Sequence, residues 1–164
     1  MFHSIYSQLS FVALFGCCGL AFWKGGPAER GGAILICGTW LAAMLGLAVA
    51  REYVLAVPFL LSDAVLAIGL LILAIRYSNW WMGAAMLLQA LGLSFHAAYF
   101  AADQSEISKK ALHFYVLGKN LSSWGMLLVI LIATLVTWRK RSRAEARAGA
   151  SAPVTIPPGP LPAS

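Results

Sequence analysis

Charge is scarce in this chain. Asp, Glu, Lys and Arg together supply 11% of its 164 residues, and only six of those are acidic. A soluble domain carries about a quarter charged residues and about half apolar ones. Here the apolar share is 60% and the mean hydropathy +0.78. So little polar surface cannot cover a globule in water, which excludes a soluble enzyme domain and a disordered chain. Cysteine is also sparse. Cys17, Cys18 and Cys37 lie inside apolar runs, with no C-x-x-C and no His at metal-ligand spacing. That excludes a disulfide-stapled secreted module and leaves the thiols as small buried hydrophobes. Catalytic signatures are missing too: the chain has no G-x-S-x-G, H-E-x-x-H, phosphate loop or paired carboxylates. The composition is that of an integral membrane protein, with no cofactor implied.

The net charge of +6 and pI near 9.6 resemble a nucleic-acid signature, but the distribution argues otherwise. Arg139, Lys140, Arg141, Arg143 and Arg147 follow the last apolar run with no aromatic platform beside them. Juxtamembrane cations of this kind set orientation and attract anionic lipid head groups. The expected partners are the bilayer, its anionic lipids, and a membrane protein or a second copy, not nucleic acid.

A hydrocarbon core of about 30 Å needs roughly 20 apolar residues in a helix. Five runs qualify: about Ser7 to Trp23, Gly32 to Ala50, Tyr53 to Ile75, Asn79 to Ala101 and His113 to Trp138. Short connections between them predict an all-α, up-and-down bundle of five transmembrane helices over 1–141. With the basic cluster inside, Lys24, Arg30, Arg76 and the five tail cations share one side. Arg51, Lys109 and Lys110 face them across the membrane. This bias predicts N-out, C-in. Trp23, Trp80, Trp81 and Trp138 then mark an inner aromatic belt, and Tyr53, Tyr99 and Tyr115 an outer one. Leu14-Phe15-Gly16-Cys17 resembles a lipobox, and cleavage there would leave four spans. From Ser142 to Ser164 the chain turns Ala-, Pro- and Ser-rich, which predicts a disordered cytoplasmic tail, with a proline-motif docking peptide as a minor reading.

Gly38, Ala42, Gly46 and Ala50 recur every four residues on the second span, where small side chains let helices approach closely. An intramolecular contact and a dimer interface both fit. Ionisable groups inside spans are expensive and therefore the first place to look for function. Asp63 falls near mid-bilayer. Gln89, Gly92, His96 and Tyr99 follow one face of the fourth span, and Tyr115, Lys119, Ser122 and Met126 one stripe of the fifth, with Asn120 beside it. These residues predict a polar pocket of Asp63, Gln89, His96, Lys119 and Asn120 in the outer half of the bundle. Lys119 and His96 compete as partners for Asp63. The structural alternatives are a snorkelling Lys119, a His96 bonded to a backbone carbonyl, and a protonated or capped Asp63.

The Asp in an apolar helix, Arg76, Trp80-Trp81, Gln89, His96 and the closing Thr137-Trp138-Arg139 together resemble small, uncharacterised multi-span membrane proteins of alphaproteobacteria. The resemblance covers roughly residues 60–141. It implies a bacterial inner membrane and transfers no activity. Three functions remain open. The leading expectation is a non-enzymatic membrane protein, an accessory or assembly subunit of a larger complex. The alternative is a small proton- or ion-coupled transporter using Asp63. The third is a b-type haem protein with His96 and His113 as axial ligands.

Overall fold

The computed structural model describes residues 5–49, 56–101 and 109–150. They form five helices: α1 (Ile5–Lys24), α2 (Pro27–Val49), α3 (Ala56–Tyr77), α4 (Trp80–Ala101) and α5 (Lys109–Ala150). No strand occurs among the described residues. Four helices are long and apolar enough to cross a membrane; the described apolar part of α1, Gln8–Lys24, is shorter. Each helix packs on its neighbour in sequence, and α5 returns to α1, closing the five into a ring that α2 and α5 also bridge. Lipid removes most of the hydrophobic incentive for helices to associate, so the ring depends on close packing and internal polar bonds. Its outer face is accordingly apolar, with Val12, Ile75 and Leu87 each more than two-thirds exposed.

The turns explain the helix boundaries. After α1, Gly25 donates its N–H to the Ala21 carbonyl at 2.9 Å, and a Cβ at Gly25 would run into that same carbonyl. Pro27 then occupies the first position of α2, where a missing N–H costs nothing. Glu29 reaches back to accept the Gly26 N–H at 2.9 Å, half of a capping box. Helix α2 therefore starts five residues before the expected Gly32. Between α3 and α4, Ser78 turns the chain with a φ of 46°, a left-handed conformation that non-glycine residues rarely adopt.

At its other end α5 runs on to Ala150, so Ser142 is not a helix boundary. At 1.5 Å per residue, the twelve residues from Arg139 carry it about 18 Å past Trp138. The remaining tail, 151–164, lies outside the described residues, as do the side chains of Ala50, Arg51, Tyr53, Lys109 and Lys110.

The two ends of the ring differ. Around the α1–α2 and α3–α4 turns the core is solid, with Ala21, Leu70, Trp81, Met82 and Ile130 almost fully buried. Here Trp81 corrects the aromatic-belt expectation. It is 2% exposed and packs over Gly32, where a Cβ would lie 2.9 Å from the indole, while Trp80 is 63% exposed. Toward the opposite end the ring is hollow.

Candidate functional site

A cavity of about 360 Å³ occupies that hollow half, and all five helices contribute to its walls. Asp63, in the third turn of α3, presents its carboxylate there. The Lys119 ammonium of α5 donates to Asp63 Oδ2, and His96 Nε2 of α4 lies 2.9 Å from the same oxygen. The far side of the imidazole is engaged as well, with the Tyr115 hydroxyl 3.1 Å from His96 Nδ1. Gln89 Nε2 donates to the Asp63 backbone carbonyl at 2.8 Å, which ties α4 to α3 one level below. The Tyr115 ring packs against Tyr99 at 4.7 Å and edges onto His96 at 5.4 Å.

Burial makes this cluster consequential. His96 is fully buried, Gln89 nearly so, and the Asp63 and Lys119 side chains are 13% and 19% exposed. A buried carboxylate is tolerated where an opposite charge and hydrogen bonds compensate it, and Asp63 has both. Because α4 and α5 are antiparallel, residues near the C-terminal end of one meet residues near the N-terminal end of the other, which brings His96 to Tyr115 and Lys119. Chemically, the row Lys119–Asp63–His96–Tyr115 links an ammonium, a carboxylate, an imidazole and a phenol. Each member can give or take a proton from its neighbour.

The cluster accounts for the expected residues unevenly. Asp63, Gln89, His96 and Lys119 meet as one group, and Lys119 and His96 share Asp63 instead of competing for it. Asn120 borders the cavity but is exposed and bonds none of the others. His113 is exposed on α5, and both ring nitrogens of His96 are already engaged, so the pair offers no axial ligation to a haem iron. No group of three or more metal-ligating side chains occurs among the described residues. The small-residue stripe also divides. Gly46 abuts Pro58 of α3, where a Cβ would come within 2.9 Å, whereas Gly38 meets nothing within 4 Å and Ala42 is exposed. Arg139, Lys140, Arg141 and Arg143 are all exposed on the α5 extension.

One polar group was not anticipated. Glu29 is 4% exposed at the solid end, where its second oxygen accepts the Thr137 hydroxyl of α5 at 3.0 Å. Lys24 lies over the Trp23 and Trp138 rings beside it, at 4.6 and 5.4 Å from the centroids. The signal was Pro27-Ala28-Glu29, a helix start that a charged loop resembles. Thr137 and Lys119 are 18 residues apart on α5, so about 27 Å separates this buried carboxylate from the Asp63 cluster.

Compared with protein-family models, curated proteins and solved structures, the chain matches none.

Proposed function

We propose that this protein is a small proton-linked membrane carrier in which Asp63 is the titrating group. The observation that carries the reading is the convergence of Lys119 and His96 on one oxygen of Asp63 beside a cavity inside the bundle. A charge at mid-span costs about 2.5–3.5 kcal/mol on insertion scales. Well-packed apolar side chains would hold the helices as firmly as a buried ion pair, so the pair is better explained by use than by stability. The His96–Tyr115 contact extends the row by two proton-exchanging groups. Transport requires the packed end, at Leu70, Trp81, Met82 and Ile130, to open in alternation with the hollow end.

The test is proton flux into liposomes holding the full chain, driven by an imposed potential, with Asp63→Asn as the control. Flux that survives the substitution removes Asp63 from the mechanism.

In this reading all five helices span, with the N-terminus outside and the C-terminus inside, as the Lys and Arg asymmetry implies, and the resemblance over residues 60–141 points to a bacterial inner membrane. The exposed cations from Arg139 to Arg143 then lie on the anionic inner leaflet, worth about 1 kcal/mol each. A reporter fused after Ala150 should remain inside, and a translocated reporter overturns the orientation. Exposed Gly38 and Ala42, on the groove against Leu61 and Val65, support a second reading as an accessory subunit or homodimer. Gentle extraction should then yield a stable larger complex, and a solitary monomer counts against it.

A further inference from the structure

We propose that one anionic glycerophospholipid binds at the α1–α5 seam of the packed end, its phosphodiester held between Lys24 and Arg141. The inference rests on the reading that this end of the bundle lies at the lipid head groups, and on nothing at Asp63.

The turn after α1 builds the site. Helices α1 and α5 are neighbours in the ring. Lys24, the last residue of α1, holds its ammonium 4.6 Å from the centroid of Trp23 and 5.4 Å from that of Trp138 on α5. Two residues on, a Cβ at Gly26 would stand 3.5 Å from the Arg141 guanidinium. Trp138 and Arg141 are three residues apart on α5 and so share one face of it. Lys24 and Arg141 therefore converge on one turn from two helices.

Neither cation is answered within the protein. Among the described residues, neither has an ion pair or a hydrogen bond. The carboxylate of this turn, Glu29, is 4% exposed, with one oxygen on the Gly26 N–H and the other on the Thr137 hydroxyl. Two positioned cations without a counter-charge fit an anion from outside the chain. An ammonium and a guanidinium can donate together to the two free oxygens of a phosphodiester.

The surroundings select the source of that phosphate. Trp23 and Trp138 are exposed beside the pair, and indoles favour the level of the head groups. Toward the bilayer, α1 and α5 present exposed apolar side chains such as Phe22 and Ile132. A lipid can lay its acyl chains on that surface while its phosphate meets the cations, and basic pockets between spans take lipid head groups in this way. A free phosphate gains nothing from it. The site also differs from the diffuse attraction of the α5 extension. Arg143 follows Arg141 by two residues, about 200° around the helix, and lies on the opposite face from the turn.

The experiment measures thermal stabilisation of the purified full chain in dodecylmaltoside at about 0.3 M salt, where attraction from a distance is screened. Dioleoylphosphatidylglycerol should stabilise saturably, and dioleoylphosphatidylcholine and inorganic phosphate should not. Lys24→Gln and Arg141→Gln should each weaken the phosphatidylglycerol effect about fivefold, the factor equivalent to about 1 kcal/mol per cation. Arg143→Gln removes the same charge from the other face and should weaken it by less than about twofold. The quantity read is the shift on adding lipid, so a lower starting melting temperature in a variant does not enter. Where Lys24→Gln fails to fold, the exposed Arg141→Gln carries the test alone. Equal stabilisation by phosphatidylcholine overturns the inference, as does an undiminished effect in Arg141→Gln or an equal loss in Arg143→Gln. Stabilisation by phosphate alone overturns the assignment to a lipid. Any of these beside Asp63-dependent proton flux refutes the lipid site and leaves the carrier standing. Lys24- and Arg141-dependent lipid binding beside flux indifferent to Asp63 does the reverse.

Discussion

Removing the Asp63 carboxylate should cost the fold more than removing either group that bonds it. Asp63→Ala strands the Lys119 ammonium and leaves the fully buried Nε2 of His96 without its acceptor. Breaking a buried ion pair from one side costs about 3–5 kcal/mol. Lys119 retains 19% of its side-chain exposure next to a cavity, and its stem can swing toward water, which lowers that term to about 2–3 kcal/mol. The orphaned imidazole adds about 1 kcal/mol. The single substitution should therefore cost about 3–4 kcal/mol. Lys119→Ala should cost less, about 1–2 kcal/mol, because His96 still bonds the carboxylate.

Removing both charges avoids the stranded ammonium. The Asp63→Ala, Lys119→Ala double variant should lose about 1–2 kcal/mol less than the sum of the singles. The same reasoning gives the Asp63–His96 cycle a coupling of about 1 kcal/mol from their 2.9 Å contact. Equilibrium unfolding in mixed micelles, followed by far-ultraviolet circular dichroism, supplies all four corners of each cycle. Additivity within about 0.5 kcal/mol for Asp63 and Lys119 would refute the reasoning. Lys119 would then be a snorkelling anchor, and the polar pocket would rest on His96 and Gln89.

Other contacts give further expectations in the same assay. Tyr115→Phe keeps the ring against Tyr99 but loses the 3.1 Å contact to His96, and should cost about 0.5–1.5 kcal/mol; no loss would mean the phenol does not hold the imidazole. Glu29→Ala removes both the Gly26 cap and the Thr137 bond and should cost about 1–3 kcal/mol. Glu29→Gln, whose amide oxygen can still cap, should cost less than half as much, and equal losses would refute the capping role. Gly46→Leu should destabilise by at least 1 kcal/mol, roughly, through collision with Pro58. Gly38→Ala faces open space and should be neutral or stabilising by about 0.5–1 kcal/mol; a large loss there would show that the stripe packs along its whole length.

Much of the helical framework is legible in the sequence because one physical quantity governs it. Apolar length must match the hydrocarbon core, and the turns Gly25-Gly26 and Ser78-Asn79 interrupt it at polar or flexible residues. The errors arise where that quantity is silent. The change from apolar to polar composition at Ser142 does not end the helix. Arg, Ala and Glu are good helix formers, so α5 continues to Ala150. Likewise Glu29 and Arg30 read as an interhelical loop because charge suggests water. Pro27 and Glu29 are in fact a helix start, whose carboxylate is satisfied by a backbone N–H and a threonine 108 residues away.

The site was legible in depth but not in direction. Rise per residue places Asp63, His96 and Lys119 in one half of the bundle. Whether a lysine stem reaches a given carboxylate depends on which helices adjoin, and the closed ring supplies that adjacency. Trp80 and Trp81 show how sharply direction matters. They are the same residue type, one position apart, and both suit an interfacial belt by depth. Yet a step of one residue turns about 100° around a helix, so Trp80 faces outward while Trp81 fills the core against Gly32. Ser122 differs from Thr134 in the same way, since both are buried hydroxyls on α5. Thr134 finds the carbonyl of Ile130, and the Ser122 hydroxyl finds no partner among the described residues. Hydroxyl rotamers leave no periodic trace in a sequence, so pattern alone could place Ser122 on a stripe but not show its hydroxyl without a partner among the described residues.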